Sequence, residues 1–152
     1  MRSFNLFADY FQFYLKDETA DGDLSNAWTD EAVARLLAVA PGTVGVRTVS
    51  NMEVPVTLQV SASEPAFDLE AYDHVVEGPL SSTSGTLVIA GCTDYFPDAS
   101  RVPLEPGTYR VRVCFSALES VSEDGLAGGD RYHLQLWPAP LSGVTVVKQW
   151  TA

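Results

Sequence analysis

The chain has 152 residues, with 20 Asp and Glu against 9 Lys and Arg, and its formal net charge is −11. A chain of this length is expected to form one domain over residues 1–152, and its 46% hydrophobic content is enough for one core without metal or disulfide support. So large an excess of acids repels phosphates, which argues against direct binding to nucleic acid or to an anionic membrane.

The N-terminal segment and the cysteines bear on the compartment. Asn5 and Asp9 interrupt the first apolar residues before a signal-peptide core can form, and no stretch reaches the roughly 20 apolar residues of a membrane span. We therefore expect a soluble, cytoplasmic protein. Cys92 and Cys114 are expected to be buried, reduced thiols, since bridges are uncommon in chains without an export signal.

Short segments with a hydrophobic period of two, separated by clusters of Gly, Pro, Asp and Ser, predict an all-β chain. In chain order the predicted strands are Phe4–Leu15, Thr43–Ser50, Val54–Ser61, Tyr72–Glu77, Thr86–Ala90, Tyr109–Ser116, Arg131–Trp137 and Val144–Trp150. About eight short strands at this spacing predict a two-sheet β-sandwich.

One segment departs from this period and predicts a short helix over about residues 30–39. Thr29 can cap its N-terminus, and Asp30 and Glu31 in its first turn interact favourably with the helix dipole. A Pro-Gly pair at residues 41–42 ends it. Three apolar side chains are expected to share the face that packs on the sandwich: Val33, Leu36 and Leu37.

Two predicted strands carry more specific expectations. Pro55 cannot donate a hydrogen bond to a neighbouring strand, so it indicates an edge strand or a strand start. In the strand Tyr109–Ser116, Val111 is expected to face the core. Arg110 and Arg112 then lie together on the solvent face, where they neutralise local acids or form a small cationic stripe.

No residue pattern typical of catalysis or metal binding is present. Adjacent strand residues point to opposite faces, so Asp73 cannot orient His74, and both His74 and His133 are expected to be at the surface or half-buried. The segment Asp17–Trp28 begins like a calcium loop, but its twelfth position is Trp instead of Glu, which favours an acidic solvated loop. We therefore expect no enzymatic activity, no cofactor and no metal.

The acids are concentrated in two stretches that contain no cation. Six acids lie between Asp17 and Glu31, and five lie between Glu64 and Glu77. Like charges repel, so such clusters indicate either long-range attraction to a basic partner or simply a well-solvated surface. The partner-binding residues assigned on this basis are Asp17, Glu18, Asp21, Asp23, Trp28, Asp30 and Glu31.

Several short motifs follow one another in the order found in a known family. They are Tyr10–Asp17, Trp28–Ala32, Gly42, Asn51, Leu104–Val111 and Asp130–Leu134. In these motifs and in their order, the chain resembles the ComJ-type competence proteins, which are small acidic inhibitors of a DNA-entry nuclease. It departs from them in a longer acidic insertion before Trp28 and in the loop Glu119–Asp130. The resemblance implies a non-enzymatic protein that occupies the cationic DNA cleft of a nuclease, and it marks no catalytic residue.

Three functions compete at this point. The first is an acidic β-sandwich that inhibits a basic protein, such as a nuclease, by placing carboxylates where DNA phosphates would lie. The second is a sandwich that binds a small ligand or a carbohydrate and uses Trp137, Trp150 or Tyr95 as a stacking platform. The third is a structural or oligomer-forming domain, and the sequence leaves the oligomeric state open.

Overall fold

The alternation of apolar and polar residues gives strands that pack face to face in two sheets. The structure is a computed structural model that describes residues 1–151. Its strands are β1 Arg2–Phe7, β2 Gln12–Asp17, β3 Leu37–Ala40, β4 Thr43–Arg47, β5 Glu53–Val60, β6 His74–Ser82, β7 Thr86–Gly91, β8 Ser100–Pro103, β9 Gly107–Ser116, β10 Arg131–Pro138 and β11 Thr145–Lys148. The order is β1-β5-β10-β9-β6-β11 in the six-stranded sheet and β3-β4-β2-β7-β8 in the five-stranded sheet. The predicted two-sheet sandwich is confirmed.

The core lies between the two sheets and contains an aromatic cluster. Phe13 on β2 packs edge-to-face on Tyr132 of β10, with 5.7 Å between ring centroids, and Phe115 on β9 packs on the same tyrosine at 5.3 Å. Edge-to-face contacts of this kind stabilise a core beyond the burial of the rings themselves. They join the five-stranded sheet to the two central strands of the six-stranded sheet.

The segment predicted as one strand, Phe4–Leu15, is two strands in different sheets. β1 pairs with β5, whereas β2 pairs with β4 and β7. A 3₁₀ turn at Asp9–Phe11 lies between them, with Tyr10 at φ 56° and Phe11 at φ 59° in the left-handed region. No Gly or Pro marks this bend, so alternation alone reads through it. The short strands β3 and β8 were not predicted either.

Pro55 lies on an inner strand, because β5 is flanked by β1 and β10. Of the two predicted alternatives, the edge strand is wrong, and the strand start agrees with the position of Pro55 as the third residue of β5. The pairing of β5 with β10 begins only at Val56, one residue further on. Pro55 thus lies near the strand start, outside that ladder, where its missing N–H is tolerated.

The helix α1 spans Asp30–Arg35 and ends before the predicted boundary at residue 39. Thr29 caps it as predicted, since its hydroxyl accepts a hydrogen bond from the backbone N–H of the third helical residue at 3.2 Å. Leu36 then adopts a left-handed conformation at φ 64° and ends the helix, and β3 begins at the next residue. The predicted shared apolar face is wrong, because Val33 is exposed.

The second face of β9 is buried, contrary to the prediction that it faces water. Arg112 is 2% exposed, and its Nε donates to Glu77 on β6 at 2.9 Å, while the Nε of Arg110 donates to the same carboxylate at 3.2 Å. The Arg112 guanidinium also stacks on the rings of Phe67 and Trp137, at 4.0 and 4.7 Å from their centroids. The two arginines neutralise a local acid, as one predicted alternative has it. They do so beneath the segment that contains Phe67, however, and not at the surface.

The two histidines differ in environment. His133 is half-buried, whereas His74 is fully buried, so the predicted exposure is wrong for His74. The Nδ1 of His74 accepts from the backbone N–H of Trp150 at 3.0 Å, so its Nε2 carries the proton and donates to the carbonyl of Arg35 at 2.8 Å. Burial lowers the pKa of His74, which keeps the ring neutral near pH 7. This ring links the end of α1 to the C-terminal segment.

Both cysteines are free thiols: Cys114 is buried on β9, and Cys92 is half-buried just after β7. Burial raises the pKa of the Cys114 thiol to about 12, so it is protonated near pH 7. Across residues 1–151, none of the helices has the length and apolar character needed to cross a bilayer.

Candidate partner-binding face

The acidic segment between β2 and α1, residues 18–29, lies across the outer face of the five-stranded sheet. We call it the acidic loop. Gly45 on β4 leaves room for it, since a Cβ there would come within 2.7 Å of Leu24 and 2.9 Å of the Trp28 ring. The indole N–H of Trp28 donates to the Gln12 side chain on β2 at 3.1 Å. The loop is therefore held on a rigid sheet by two apolar side chains.

Asp17, the last residue of β2, directly precedes this loop and is 2% exposed. Its Oδ1 accepts from the hydroxyls of Ser82 and Ser84 at 3.1 and 2.7 Å and from the backbone N–H groups of Thr83 and Ser84 at 3.1 and 3.0 Å. Its Oδ2 accepts from the hydroxyl of Thr19 at 2.6 Å. Burial alone raises the pKa of Asp17, but these hydrogen bonds outweigh it and hold the pKa well below its usual range.

Both carboxylate oxygens of Asp17 accept hydrogen bonds from within the chain, so among the seven residues predicted to bind a partner this one is buried and already satisfied. Its role is structural: it joins the start of the acidic loop to the hairpin between β6 and β7. A carboxylate with so many donors is fixed in place, and it fixes the loop that follows.

Glu18 is partly neutralised. Its Oε2 accepts from the Nε of Arg101 on β8 at 2.8 Å, and both side chains remain partly exposed. The Arg101 guanidinium lies 5.0 Å from the ring centroid of Phe96 and donates to the carbonyl of Ala99 at 2.7 Å. Glu18 therefore fastens the acidic loop to the connection between β7 and β8, and its charge is less available than that of an unpaired acid.

Four of the seven predicted residues present exposed carboxylates: Asp21, Asp23, Asp30 and Glu31. Trp28 is half-buried, with its ring against the sheet. Hydrogen bonds from Ser25 lower the pKa of Asp23, so this carboxylate is charged near neutral pH. The remaining charges stand at the N-terminus of α1, directly after Trp28 in the chain.

The connection between β7 and β8 adds residues that the sequence reasoning missed. It carries two exposed acids, Asp94 and Asp98, and Tyr95, which is 71% exposed. A groove of about 410 Å³ lies between this connection and the acidic loop, and its lining includes Asp21 and Phe96. The sequence does contain a signal for these acids, because they lie only four residues apart on either side of an aromatic pair. Two acids alone, however, do not form a charge cluster.

The cations near this face are engaged by the protein itself. The ammonium group of Lys16 donates to the carbonyl of Ala20 and lies 4.7 Å from the ring centroid of Phe96. Arg47 lies over the ring of Phe11 at 5.7 Å. Within residues 1–151, Asp21, Asp23, Asp94 and Asp98 beside this sheet, and Asp30 and Glu31 at the start of α1, have no ion-pair partner. The electrostatic potential in front of the face is therefore negative.

Solved structures resemble this architecture. ComJ from Bacillus subtilis, described as an inhibitor of the DNA degrading activity of NucA, matches with a TM-score of 0.72 and 19% identity, over 91% of this chain and 96% of that one. The chain has the ComJ-type fold. Another structure with this fold, described as crocagin biosynthetic gene J, matches with a TM-score of 0.60 and 20% identity over the same shares of the two chains. No family model matches the chain, and no curated protein matches its sequence.

The competing ligand-binding hypothesis requires an exposed aromatic side chain, and its three candidates differ in exposure. Trp137 is 6% exposed and lies under the Arg112 guanidinium, so it offers no stacking surface. Trp150 packs partly buried against the core, and Tyr95 alone of the three is widely exposed. Across residues 1–151, the His, Cys, Asp and Glu side chains form no group of three that could hold a metal ion.

Proposed function

We propose that this protein is a non-enzymatic inhibitor of a basic nuclease, and that its exposed carboxylates take the positions of DNA phosphates in the nuclease cleft. The observation that carries the proposal is the set of unpaired carboxylates on and beside the acidic loop, which is pinned to the outer face of the five-stranded sheet. The likeness to ComJ in fold supports the class of partner.

Pre-organisation is the physical reason why this face suits a rigid cationic cleft. A mobile acidic tail would lose conformational entropy on binding, whereas a loop already held by its own side chains loses less. Trp28 and Leu24 pack against Gly45, and Asp17 fixes the loop start. The charges of Asp21 and Asp23 are thereby presented from a defined backbone.

Unpaired carboxylates act mainly on the rate of encounter. Opposite potentials steer two proteins together and raise the association rate constant at low salt, while charges at the rim contribute less to the lifetime of the complex. Screening at physiological ionic strength, with a Debye length of about 8 Å, weakens that steering. We therefore expect association to slow steeply as salt is raised.

The experiment neutralises the four exposed predicted acids together and measures inhibition and binding. The variant is Asp21→Asn, Asp23→Asn, Asp30→Asn and Glu31→Gln. The matched control carries the same change of charge at exposed acids outside the acidic loop and α1: Glu53→Gln, Glu70→Gln, Glu105→Gln and Glu119→Gln. Asp30 and Glu31 also favour the start of α1, so thermal melts first establish that both proteins are folded.

NucA, the nuclease named with the structural neighbour, serves as the test enzyme on duplex DNA, with binding kinetics at two salt concentrations. We expect the variant to associate at least about tenfold more slowly than wild type, and the control to stay within about threefold, because the steering field depends on where the charges lie. Equal inhibition by the folded variant, or an association rate that ignores salt, would show that the carboxylates do not act as phosphate mimics.

A further inference from the structure

An apolar groove runs beside the acidic loop along the turn between β3 and β4. Its floor and walls are formed by Val39, Ala40 and Pro41, by Pro79 on β6, and by Leu141 in the connection from β10 to β11. The volume of this part is about 220 Å³. An apolar cavity of about 150 Å³ is enough to hold a benzene ring. The groove can therefore accept one branched or aromatic side chain.

The groove continues into a second space of about 300 Å³ that contains Asp21 and Asp23 in its lining. The two spaces share the turn residues Ala40, Pro41 and Gly42 and also Ser81. We call the combined feature the hairpin groove. It is apolar at one end and acidic at the other, and no Lys or Arg lines either part of it among residues 1–151.

The hairpin groove is a formed feature with a fixed floor. Gly42 stands in the left-handed region at φ 64°, and its carbonyl accepts from the backbone N–H of Asp17 at 2.9 Å. A Cβ on Gly42 would come within 2.9 Å of Ala20 in the acidic loop, so loop and turn are closely packed. Leu141 is nevertheless 54% exposed, and Pro41 is exposed as well. Apolar surface is thus left open on a rigid support.

Charge complementarity identifies the occupant. A side chain that fills the apolar end places its neighbours in the chain beside the carboxylates of Asp21 and Asp23. Lys16 lies next to Gly22 between them, but its ammonium donates to the carbonyl of Ala20 and forms no ion pair with either carboxylate, so Arg or Lys of a partner is favoured there. We infer that the hairpin groove receives one apolar side chain of the basic partner and that Asp21 and Asp23 bind the Arg or Lys next to it. This inference rests on the proposed function for the class of partner, and it deepens that proposal by locating an anchor point.

The anchor and the acidic face differ in their kinetic effect. A side chain buried in a fitted groove lengthens the lifetime of a complex, whereas exposed charges mainly speed its formation. Leu141→Ser should therefore raise the dissociation rate constant about tenfold and leave the association rate nearly unchanged. The matched control is Leu126→Ser, since Leu126 is 61% exposed and lies outside the residues that line the groove.

The groove is tested without any nuclease by two peptide probes and an amide NMR titration of the full chain. The peptides are acetyl-Gly-Arg-Leu-Arg-Gly-amide and acetyl-Gly-Arg-Gly-Arg-Gly-amide, which carry equal charge. We expect the Leu peptide to bind at least about fivefold more tightly, with shifts at the amides of residues 39, 40, 42, 80, 81 and 141; residues 41 and 79 are prolines and have no amide proton. Leu141→Ser should abolish that advantage, and Leu126→Ser should preserve it.

The two proposals fail separately in these assays. Equal affinity of the two peptides, or shifts of the Leu peptide that spread away from the groove, overturns the anchor inference even when salt-dependent inhibition is observed. Groove-specific binding of the Leu peptide supports the anchor, and a failure to inhibit any basic nuclease then counts against the proposed function alone. The comparison of peptides on wild-type protein holds even where a variant does not fold.

Discussion

The carboxylate of Asp17 gives the sharpest test of how the acidic loop is held. Asp17→Asn removes the charge that seven hydrogen bonds converge on, from the backbone and side chains of Thr19, Thr83 and Ser84 and the hydroxyl of Ser82. Hydrogen bonds to charged groups contribute about 1.5–3 kcal/mol each, but most of these donors are close enough to the surface to bind water instead. We therefore expect a loss of about 2 kcal/mol in the free energy of unfolding, measured by urea titration at pH 7.

The pH dependence follows from the lowered pKa of Asp17. A carboxyl group whose pKa is lower in the folded state stabilises the protein above its unfolded pKa of about 3.9, and this stabilisation is lost as the pH falls toward the folded value. The advantage of wild type over Asp17→Asn should be constant from pH 7 to pH 5. It should shrink by about 1 kcal/mol by pH 3, after allowance for solvent screening near the surface.

The matched control is Asp124→Asn, which makes the same substitution at an exposed aspartate that accepts hydrogen bonds within its own loop. Hydrogen bonds from Ser122 and Leu126 lower the pKa of Asp124 too, but this carboxylate is exposed, so the substitution should shift the urea midpoint much less than Asp17→Asn does. If Asp17→Asn is no less stable than this control, or if its deficit grows as the pH falls, the carboxylate does not hold the loop as described.

Two further substitutions test other parts of the structure. Arg112→Ala should lower the free energy of unfolding by about 3 kcal/mol in urea titrations, because it removes a buried ion-pair partner of Glu77 and the packing of the side chain. A loss below about 1 kcal/mol would show that Arg112 does not stabilise the fold in this way. Gly45→Ala should displace Trp28 from the sheet, because the added Cβ would clash with the indole ring. Acrylamide should then quench tryptophan fluorescence more strongly, and inhibition should weaken. Unchanged quenching would show that the acidic loop does not depend on the close contact between Trp28 and residue 45.

Much of the fold follows from patterns that are local in the chain. The alternation in β5 and β9 predicts one core-facing side for each strand, because burial in a sheet repeats every second residue. The cap at Thr29 is equally local, since it needs only a hydroxyl three residues before the N–H that it accepts from. The concentration of acids between Asp17 and Glu31 is also visible without any structure.

Other features depend on segments that are distant in the chain. The bend at Tyr10 and Phe11 moves the chain from one sheet to the other, and the gain that offsets its backbone cost comes from packing in two sheets at once. The outer face of β9 is buried because the Arg112 guanidinium packs on the rings of Phe67 and Trp137, which come from other segments of the chain, so alternation along β9 could not predict it.

Contacts between distant segments also decide part of the candidate site, whereas another part is determined by the sequence. The sequence alone determined that acids are concentrated between Asp17 and Glu31 with no cation among them. Only the pairing of β2 with β7 brings the acidic loop beside the connection that contains Asp94 and Asp98, about 70 residues away in the chain. Asp17 and Asp21 likewise have the same side chain but different environments. Donors from the β6–β7 hairpin enclose Asp17, so its carboxylate holds the chain together, whereas that of Asp21 is exposed. Solvent exposure is set by what packs over a residue, and that is a property of the folded chain.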